Sequence, residues 1–109
     1  MNFDEYQKEA WEMAIYPNKG NNIVYPGLGL GGECGEVLEK IKKIFRDNKG
    51  EINDGKKEEL VKEMGDVLWY LAALSTEIKT NLNEIAEKNI FKLSSRKERN
   101  KLHGSGDNR

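Results

Sequence analysis

Residues 63–68 read Glu-Met-Gly-Asp-Val-Leu, and residues 33–38 read Glu-Cys-Gly-Glu-Val-Leu. Each stretch lies inside a run of apolar residues at helical spacing, where a glycine costs about 1 kcal/mol relative to alanine. The same unfavourable residue at the same place in both stretches suggests a shared requirement. We infer that Gly35 and Gly65 let two helices approach closely enough to gather acidic side chains around divalent metal.

Helical geometry predicts that the acids of the two stretches lie on matching sides of their helices. At about 100° per residue, Glu33 and Glu36 lie roughly 80° and 140° from the centre of the apolar stripe of the earlier helix. Glu63 and Asp66 have the same two offsets on the later helix. If the stripes face each other, four carboxylates flank one seam, where they would raise one another's pKa. Carboxylate oxygens suit hard cations such as Mg²⁺ or Mn²⁺.

The remaining sequence predicts an all-α protein of four helices arranged as a bundle. Each expected helix follows a polar capping residue or a proline, and glycine-rich or polar turns separate the helices. No stretch shows the alternation of a β-strand. The expected helix starts are Asn2, the Tyr25-Pro26 pair, Asp54 as a plausible cap, and Asn81.

The apolar pattern of the third helix predicts a large buried face and an oligomer. Cys34, on the stripe of the second helix, is expected to be a core thiol. Trp69 lies roughly opposite the main stripe of the third helix, where an exposed tryptophan is unusual and an interface is common. We therefore expect a homodimer, or a homotetramer built from dimers, with the third helix in the contact. The face expected to be buried comprises Leu60, Val61, Met64, Val67, Leu68, Leu71, Leu74 and Ile78.

Composition narrows the class of protein. The 109 residues fit one domain, expected over residues 1–98, with a polar and disordered tail at 99–109. A net charge of −1 favours neither nucleic acid nor a membrane surface as partner. The acidic first residues lack the form of a signal peptide and one cysteine fits a reducing compartment, so we expect the cytoplasm. The one histidine, His103, lies in the tail, which argues against histidine-based catalysis.

The two acid pairs resemble the metal-binding signature of the MazG-like, all-α nucleoside triphosphate pyrophosphohydrolases. The likeness extends over about residues 3–97. It includes Gly-Glu-Cys-Gly-Glu-Val-Leu at 32–38, Lys-Glu-Met-Gly-Asp-Val-Leu-Trp-Tyr-Leu at 62–71, and a later Asn89-x-x-Lys92-Leu93-x-x-Arg96. The resemblance implies Mg²⁺-dependent cleavage between the α and β phosphates, which releases a nucleoside monophosphate and pyrophosphate and serves, in one interpretation, to clear non-canonical nucleotides.

The same resemblance implies roles for particular residues. Glu33, Glu36, Glu63 and Asp66 are the expected metal ligands and catalytic acids. The side chains expected to contact substrate are Asn89, Lys92, Arg96 and Tyr70. The family often has two adjacent acids where this chain has Gly32 and Glu33, and that departure leaves the subfamily open.

Other interpretations stay open at this level. Acid pairs three residues apart occur elsewhere in the chain, for example at Glu9 and Glu12, so the spacing alone favours a solvated surface. The repeated glycine, the repeated Val-Leu and the matched helical phase favour the metal site instead. A carboxylate di-iron bundle needs Glu-x-x-His motifs, which this chain lacks. A phosphoribosyl-ATP pyrophosphohydrolase-like enzyme and a non-catalytic nucleotide-binding or helical interaction module are the two alternatives.

Overall fold

A computed structural model describes residues 1–100 and 103–107 of the chain. The described residues form four α-helices and no strand: α1 (Phe3–Met13), α2 (Val24–Asn48), α3 (Asp54–Glu77) and α4 (Leu82–Glu98). The prediction of an all-α, four-helix protein is confirmed. No helix in the described ranges has both the length and the apolar character needed to cross a membrane.

Polar side chains cap three of the four helices, α1, α3 and α4, with one shift from the prediction. Helix α2 begins at Val24, one residue before the predicted Tyr25-Pro26 start, and its N-cap Ile23 makes no side-chain capping bond. Asn2 accepts a hydrogen bond from the backbone N–H of Glu5 at 2.9 Å, and its side-chain amide donates to the Glu5 carboxylate at 3.1 Å. A full capping box would use the backbone N–H of Asn2 for the second bond. At α3 the prediction of Asp54 as cap is wrong by one residue. Asn53 has the extended backbone of an N-cap and accepts from the N–H of Lys56 at 2.9 Å, so Asp54 becomes the first helical residue.

The fourth helix has half of the expected capping box. Asn81 accepts from the N–H of Glu84 at 2.7 Å. The Glu84 carboxylate does not return this bond to the backbone, because it accepts from the hydroxyl of Thr80 and pairs with Lys88. The helix start is therefore as predicted, and the reciprocal bond is replaced by two side-chain contacts.

The core lies where α1 packs against the second half of α3 and the start of α4. Ala10, Ala72 and Leu82 form one buried cluster, and Ala14, Tyr16 and Ala73 form another. Trp69 packs against both. Trp69 is therefore half-buried within the single chain, since the two alanines of α3 leave room for α1 on that side of the helix and the indole packs beside them. Its contact with a partner subunit stays a prediction.

One amide joins three elements of this core. Gln7 is buried on α1, and its amide nitrogen donates to the Thr76 hydroxyl and the Thr80 carbonyl, both at 3.0 Å. Its carbonyl oxygen accepts from the N–H of Leu82 at 2.9 Å, the first residue of α4. Gln7 therefore fixes the turn between α3 and α4 against α1.

The other side of α3 is open. Helix α2 packs along α3, and within residues 1–100 it makes no close packing with α1 or α4. An apolar groove of about 760 Å³ follows this pair, and we call it the α2–α3 groove. Its lining residues are Cys34, Val37, Leu38, Val61, Met64, Gly65, Val67, Leu68 and Leu71.

Several residues expected in the core are exposed along this side. Val61 and Met64 are 52% and 58% exposed, and Ile78 is also exposed at the end of α3. Cys34 is exposed in the groove, so its prediction as a core thiol is wrong for the single chain. The physical reason is shared: among the helices described, only α2 and α3 carry these stripes, and no third helix covers them.

The two repeated glycines do not make the close approach that we inferred. A Cβ atom at Gly35 or Gly65 would meet no atom within 4 Å in the described part of the chain. The close approach occurs at Gly29, where an added Cβ would lie 2.2 Å from a ring carbon of Tyr70. That aromatic ring rests on the backbone of α2, so Gly29 is the glycine that the contact between α2 and α3 requires.

The polar tail is described in part. Residues 101, 102, 108 and 109 lie outside the described residues, so the expected disorder of 99–109 stays a prediction. Among the described tail residues, Gly106 and Asp107 contact the last turns of α4 through Arg96 and Lys92. Helix α4 ends at Glu98, and the domain boundary at that residue stays a prediction.

Candidate metal centre

Three acids from two helices meet at the seam between α2 and α3. Glu33 on α2 and Glu63 and Asp66 on α3 each offer a carboxylate oxygen, and these oxygens lie within 4.8 Å of one another. Glu33 and Glu63 are half-buried, whereas Asp66 is exposed. The shared helical offset that the sequence predicts is what brings these three side chains to one place.

The electrostatics of this cluster favour a bound cation. Burial raises the pKa of the Glu33 carboxyl, and the negative charges of Asp66, Glu63 and Glu36 raise it further. The negative charges of neighbouring carboxylates repel one another, and a cation bound between them relieves this repulsion. All the donors are hard oxygens of carboxylates, which fits Mg²⁺, Mn²⁺ or Ca²⁺ better than a soft-ligand metal.

Glu36 lies beside this group and not in it. It is exposed, one helical turn after Glu33, and its oxygens are not among the three that lie within 4.8 Å. It is still near enough for its charge to raise the pKa of Glu33. The structure therefore brings together three of the four predicted ligands and leaves the fourth at the edge of the cluster.

Two tyrosines, Tyr70 and Tyr6, respond to the charge of the acids, and the sequence indicated Tyr70. Tyr70 follows Asp66 by one turn of α3, and its ring rests on Gly29, one turn before Glu33 on α2. Burial, the phenol of Tyr25 and the charges of Glu33 and Asp66 raise the pKa of Tyr70. Burial and the charge of Asp66 likewise raise the pKa of Tyr6, on α1. Tyr6 was missed because α1 is remote in sequence from the acid pairs. Tyr25, eight residues before Glu33 on α2, was interpreted only as part of a helix start.

The contacts of the predicted substrate-binding residues Lys92 and Arg96 are with the tail, and α4 makes no close packing with α2 within the described residues. Asn89 is exposed. Lys92 pairs with the Asp107 carboxylate at 3.3 Å. Arg96 is 4% exposed, and its guanidinium donates to the carbonyls of Gly106, at 3.3 Å, and Asp107. Tyr70 alone among the four predicted substrate contacts is therefore beside the acid cluster.

Comparisons with known proteins point in one direction. A family model described as the MazG nucleotide pyrophosphohydrolase domain matches residues 27–100, a segment that contains all the predicted ligands. The Gene 37 protein of Mycobacterium phage L5 is 42% identical over 114 aligned positions, and the alignment spans 100% of both chains. No solved structure matches the chain.

Proposed function

The chain belongs to the MazG nucleotide pyrophosphohydrolase family, and from that premise we propose that it hydrolyses nucleoside or deoxynucleoside triphosphates between the α and β phosphates. The oxygen of water joins the α phosphorus, the bond from that phosphorus to the bridging oxygen breaks, and the products are a nucleoside monophosphate and pyrophosphate. The observation that carries the proposal is the meeting of Glu33, Glu63 and Asp66 at the seam. Removal of non-canonical nucleotides is the role that this reaction would serve.

We assign the divalent metal on which this family depends to the same acids. Glu33, Glu63 and Asp66 would hold Mg²⁺, with Glu36 completing the donor set and Mn²⁺ as the alternative ion. When bound, such an ion lowers the pKa of water and neutralises charge on phosphate oxygens. The chain has no need of a side-chain nucleophile, which suits a sequence whose one histidine lies at position 103.

The protein's own acids would also handle the proton of the attacking water. Glu33 is the candidate with a raised pKa, and Glu36 is the candidate that lies outside the three-acid cluster. Either carboxylate can accept a hydrogen bond from water and later its proton. Comparing Glu33→Asp with Glu36→Asp distinguishes them, since a shortened base lowers kcat, whereas a shortened ligand raises the metal concentration required for half-maximal rate.

Asn89, Lys92 and Arg96 are proposed to bind the triphosphate, and Tyr70 the sugar or base. The carboxylate of Asp107 pairs with Lys92 at 3.3 Å and lies 3.5 Å from Arg96. A phosphate group of the substrate would take the place of this carboxylate as the anionic partner of both bases. Lys92→Ala should raise KM for triphosphates more than it lowers kcat. Arg96 is buried, so its substitution by lysine, which keeps the charge, is the matched variant.

The open side of α3 supports assembly into a homodimer, or a homotetramer of dimers. The chain exposes 8175 Å², whereas a compact monomer of 12.5 kDa exposes about 6,200 Å². Its radius of gyration is 16.8 Å, against about 13 Å for a compact chain of this length. The excess surface is of the size that a stable interface buries, and the α2–α3 groove is the apolar part of it.

A pyrophosphate-release assay with Mg²⁺ and a panel of canonical and modified NTPs and dNTPs tests the proposal. We expect release of one pyrophosphate per monophosphate formed, and its loss on chelation with EDTA. Preference for phosphoribosyl-ATP in the same panel would reassign the substrate. A protein that binds triphosphates and never cleaves them, at any metal concentration, would instead be a non-catalytic module.

A further inference from the structure

The loop that joins α1 to α2 is held by a single carboxylate of α3. One oxygen of Glu77 accepts hydrogen bonds from the Tyr16 hydroxyl and from the N–H of Gly20, the latter at 3.0 Å. Its other oxygen accepts from the N–H of Asn22, also at 3.0 Å. Glu77 therefore clamps three points of a loop that is about sixty residues away in sequence.

The clamp extends into the first turn of α2. The side-chain oxygen of Asn22 accepts from the N–H of Tyr25 at 3.0 Å, and its nitrogen donates to the carbonyl of Pro17 at 2.8 Å. Gly20 has a φ of +97°, which an L-residue rarely adopts, and this turn directs its N–H to Glu77. The position of Tyr25 thus depends on bonds that begin at Glu77.

Tyr25 is the middle ring of a row of three. Its ring stacks on Tyr16 with centroids 4.8 Å apart and planes within 13°, and it lies 6.4 Å from the ring of Tyr70. Tyr16 is buried, whereas Tyr25 remains 43% exposed. A half-exposed aromatic ring supported on one face by a buried one is a rigid platform for another planar group.

The far end of the row reaches the acid cluster. The ring of Tyr70 lies in the space that a side chain at Gly29 would occupy. Gly29 precedes Glu33 by one turn of α2 and Tyr70 follows Asp66 by one turn of α3, so this phenol is beside the acids, and both charges raise its pKa. The row therefore runs from the Glu77 clamp to the place where the phosphates are expected to bind.

We propose that Tyr25 contacts the nucleobase of the substrate, and that Glu77 is a positioning residue that holds Tyr25 and Tyr70 beside Glu33 and Asp66. This inference rests on the proposed function, because it assumes that a nucleotide binds at the acid cluster. The ligand is of a stated class: a planar heteroaromatic base whose triphosphate extends toward the acids. Stacking recognises the planar shape and tolerates different bases, which fits a protein that acts on modified nucleotides.

The charge of Glu77 gives the clamp a pH dependence. Burial raises the pKa of this carboxyl, but the hydrogen bonds from Tyr16, Asn22 and Gly20 favour the charged form and leave the pKa below its ordinary value of 4.5. A carboxyl with a lowered pKa stabilises the folded state above pH 4.5, and this contribution is lost as the pH falls through the folded-state pKa. The difference in unfolding free energy between wild type and Glu77→Gln should therefore narrow below pH 4.5.

The experiment measures hydrolysis and binding separately. KM and kcat are determined for a nucleoside triphosphate and for ribose 5-triphosphate, which has no base. The Kd of an α,β-methylene triphosphate, which resists cleavage, is measured by calorimetry with Mg²⁺ present. The variants are Tyr25→Ala, Tyr25→Phe, Glu77→Gln and, as a matched control on another half-buried glutamate, Glu84→Gln.

We expect Tyr25→Ala to raise KM and Kd for the nucleotide by about 5- to 100-fold, which is the usual range for loss of one stacked base. Tyr25→Phe keeps the ring and should restore tight binding. Glu77→Gln should raise the same KM and Kd by about tenfold, since the lost charge weakens up to three hydrogen bonds. Combining it with Tyr25→Ala should add nothing further. Glu84→Gln and all measurements on ribose 5-triphosphate should match wild type.

A purely structural role for Glu77 predicts something different. Both substrates would then lose kcat in equal proportion, and KM would not move, which would overturn the inference. Unchanged nucleotide affinity in Tyr25→Ala would also overturn it. A wild-type protein that binds the methylene analogue and hydrolyses nothing would refute the proposed function, while the affinity ratios would still decide the role of Tyr25. A protein that does neither refutes both.

Discussion

The two halves of α3 have opposite surroundings. Its second half contains Ala72, Ala73 and Ser75, which are all buried, and the two alanines pack against α1, the residues that follow it and the start of α4. Its first half contains Val61 and Met64, which are more than half exposed beside the acids. We call these the closed half and the open half of α3. One continuous helix therefore has buried residues in its second half and exposed apolar residues in its first half.

The difference follows from side-chain size and partner number. Small residues in the closed half let α1 approach closely, so one helix of the same chain suffices to bury them. The open half has larger apolar residues, and two of them, Val61 and Met64, line the α2–α3 groove. Stability of the single chain should therefore depend on the closed half, whereas function and assembly should depend on the open half. Each prediction below tests that separation.

The largest expected effect is on catalysis at the open half. Glu33→Gln, Glu63→Gln and Asp66→Asn should each lower kcat/KM at least about 100-fold, because each removes a carboxylate from the proposed metal site. Glu36→Gln should also nearly abolish turnover, although this acid lies at the edge of the cluster. Pyrophosphate release at saturating Mg²⁺ is the measurement.

The same four variants should not lose stability. Removing one of several like charges leaves unfolding free energy unchanged or raises it. Glu9→Gln serves as the control for a solvated glutamate and should retain full activity. Retained turnover in any two of the four variants would refute the assignment of the site and would break the link between the open half and catalysis.

The second prediction contrasts one kind of substitution in the two halves. Ala73→Lys places an unpaired charge in the closed core and should lower the unfolding free energy by about 3 kcal/mol or more. Leu38→Lys, in the α2–α3 groove, should leave the fold intact and raise the dissociation constant for self-association at least about tenfold. Light scattering at micromolar concentration should give at least twice 12.5 kDa for wild type. Circular dichroism reports the fold.

Phe91→Lys is the control for the groove variant. Phe91 is 77% exposed on α4, away from the groove, so its substitution adds the same charge at a surface that assembly is not expected to use. A monomeric wild-type chain, or self-association that Phe91→Lys weakens as much as Leu38→Lys does, would refute the groove as the interface.

Periodicity predicted the elements of this fold and the matching phase of the acid pairs. The four helices follow from capping residues and apolar spacing, and Glu33, Glu63 and Asp66 meet because both helices repeat one local pattern. These features are local, since each depends on residues within a turn or two of one another. Local patterns of this kind can be recognised in a single amino-acid sequence.

Pairings between distant segments could not be predicted in the same way. The sequence marks Trp69 as off the main stripe but does not reveal that α1 covers that side. It shows that Cys34 is on an apolar face, but not that this face lacks a partner within the chain. The Glu77 clamp joins residues about sixty apart through backbone N–H groups. Because backbone N–H groups do not depend on residue type, the sequence does not indicate which of them bond to Glu77.

The smallest expected effect compares the same change at two helix starts. Asn81 caps α4 at the closed half, and Asn53 caps α3 at the open half, each through one bond to a backbone N–H. Asn→Ala at an N-cap typically costs about 1 kcal/mol. Asn81→Ala should lower the global unfolding free energy by that amount, because Gln7 ties the first residue of α4 to the core.

Asn53→Ala should destabilise the first turn of α3 by the same amount. It should lower the global unfolding free energy by less than Asn81→Ala does. The first turn of α3 is exposed, so it can fray while the closed half stays folded. Amide hydrogen exchange should then speed up about fivefold at Lys56 and its neighbours, with little change at Ala72 or Ala73. Equal losses of global stability in both variants would mean that the two halves of α3 unfold as one unit, and the separation between them would then describe packing alone.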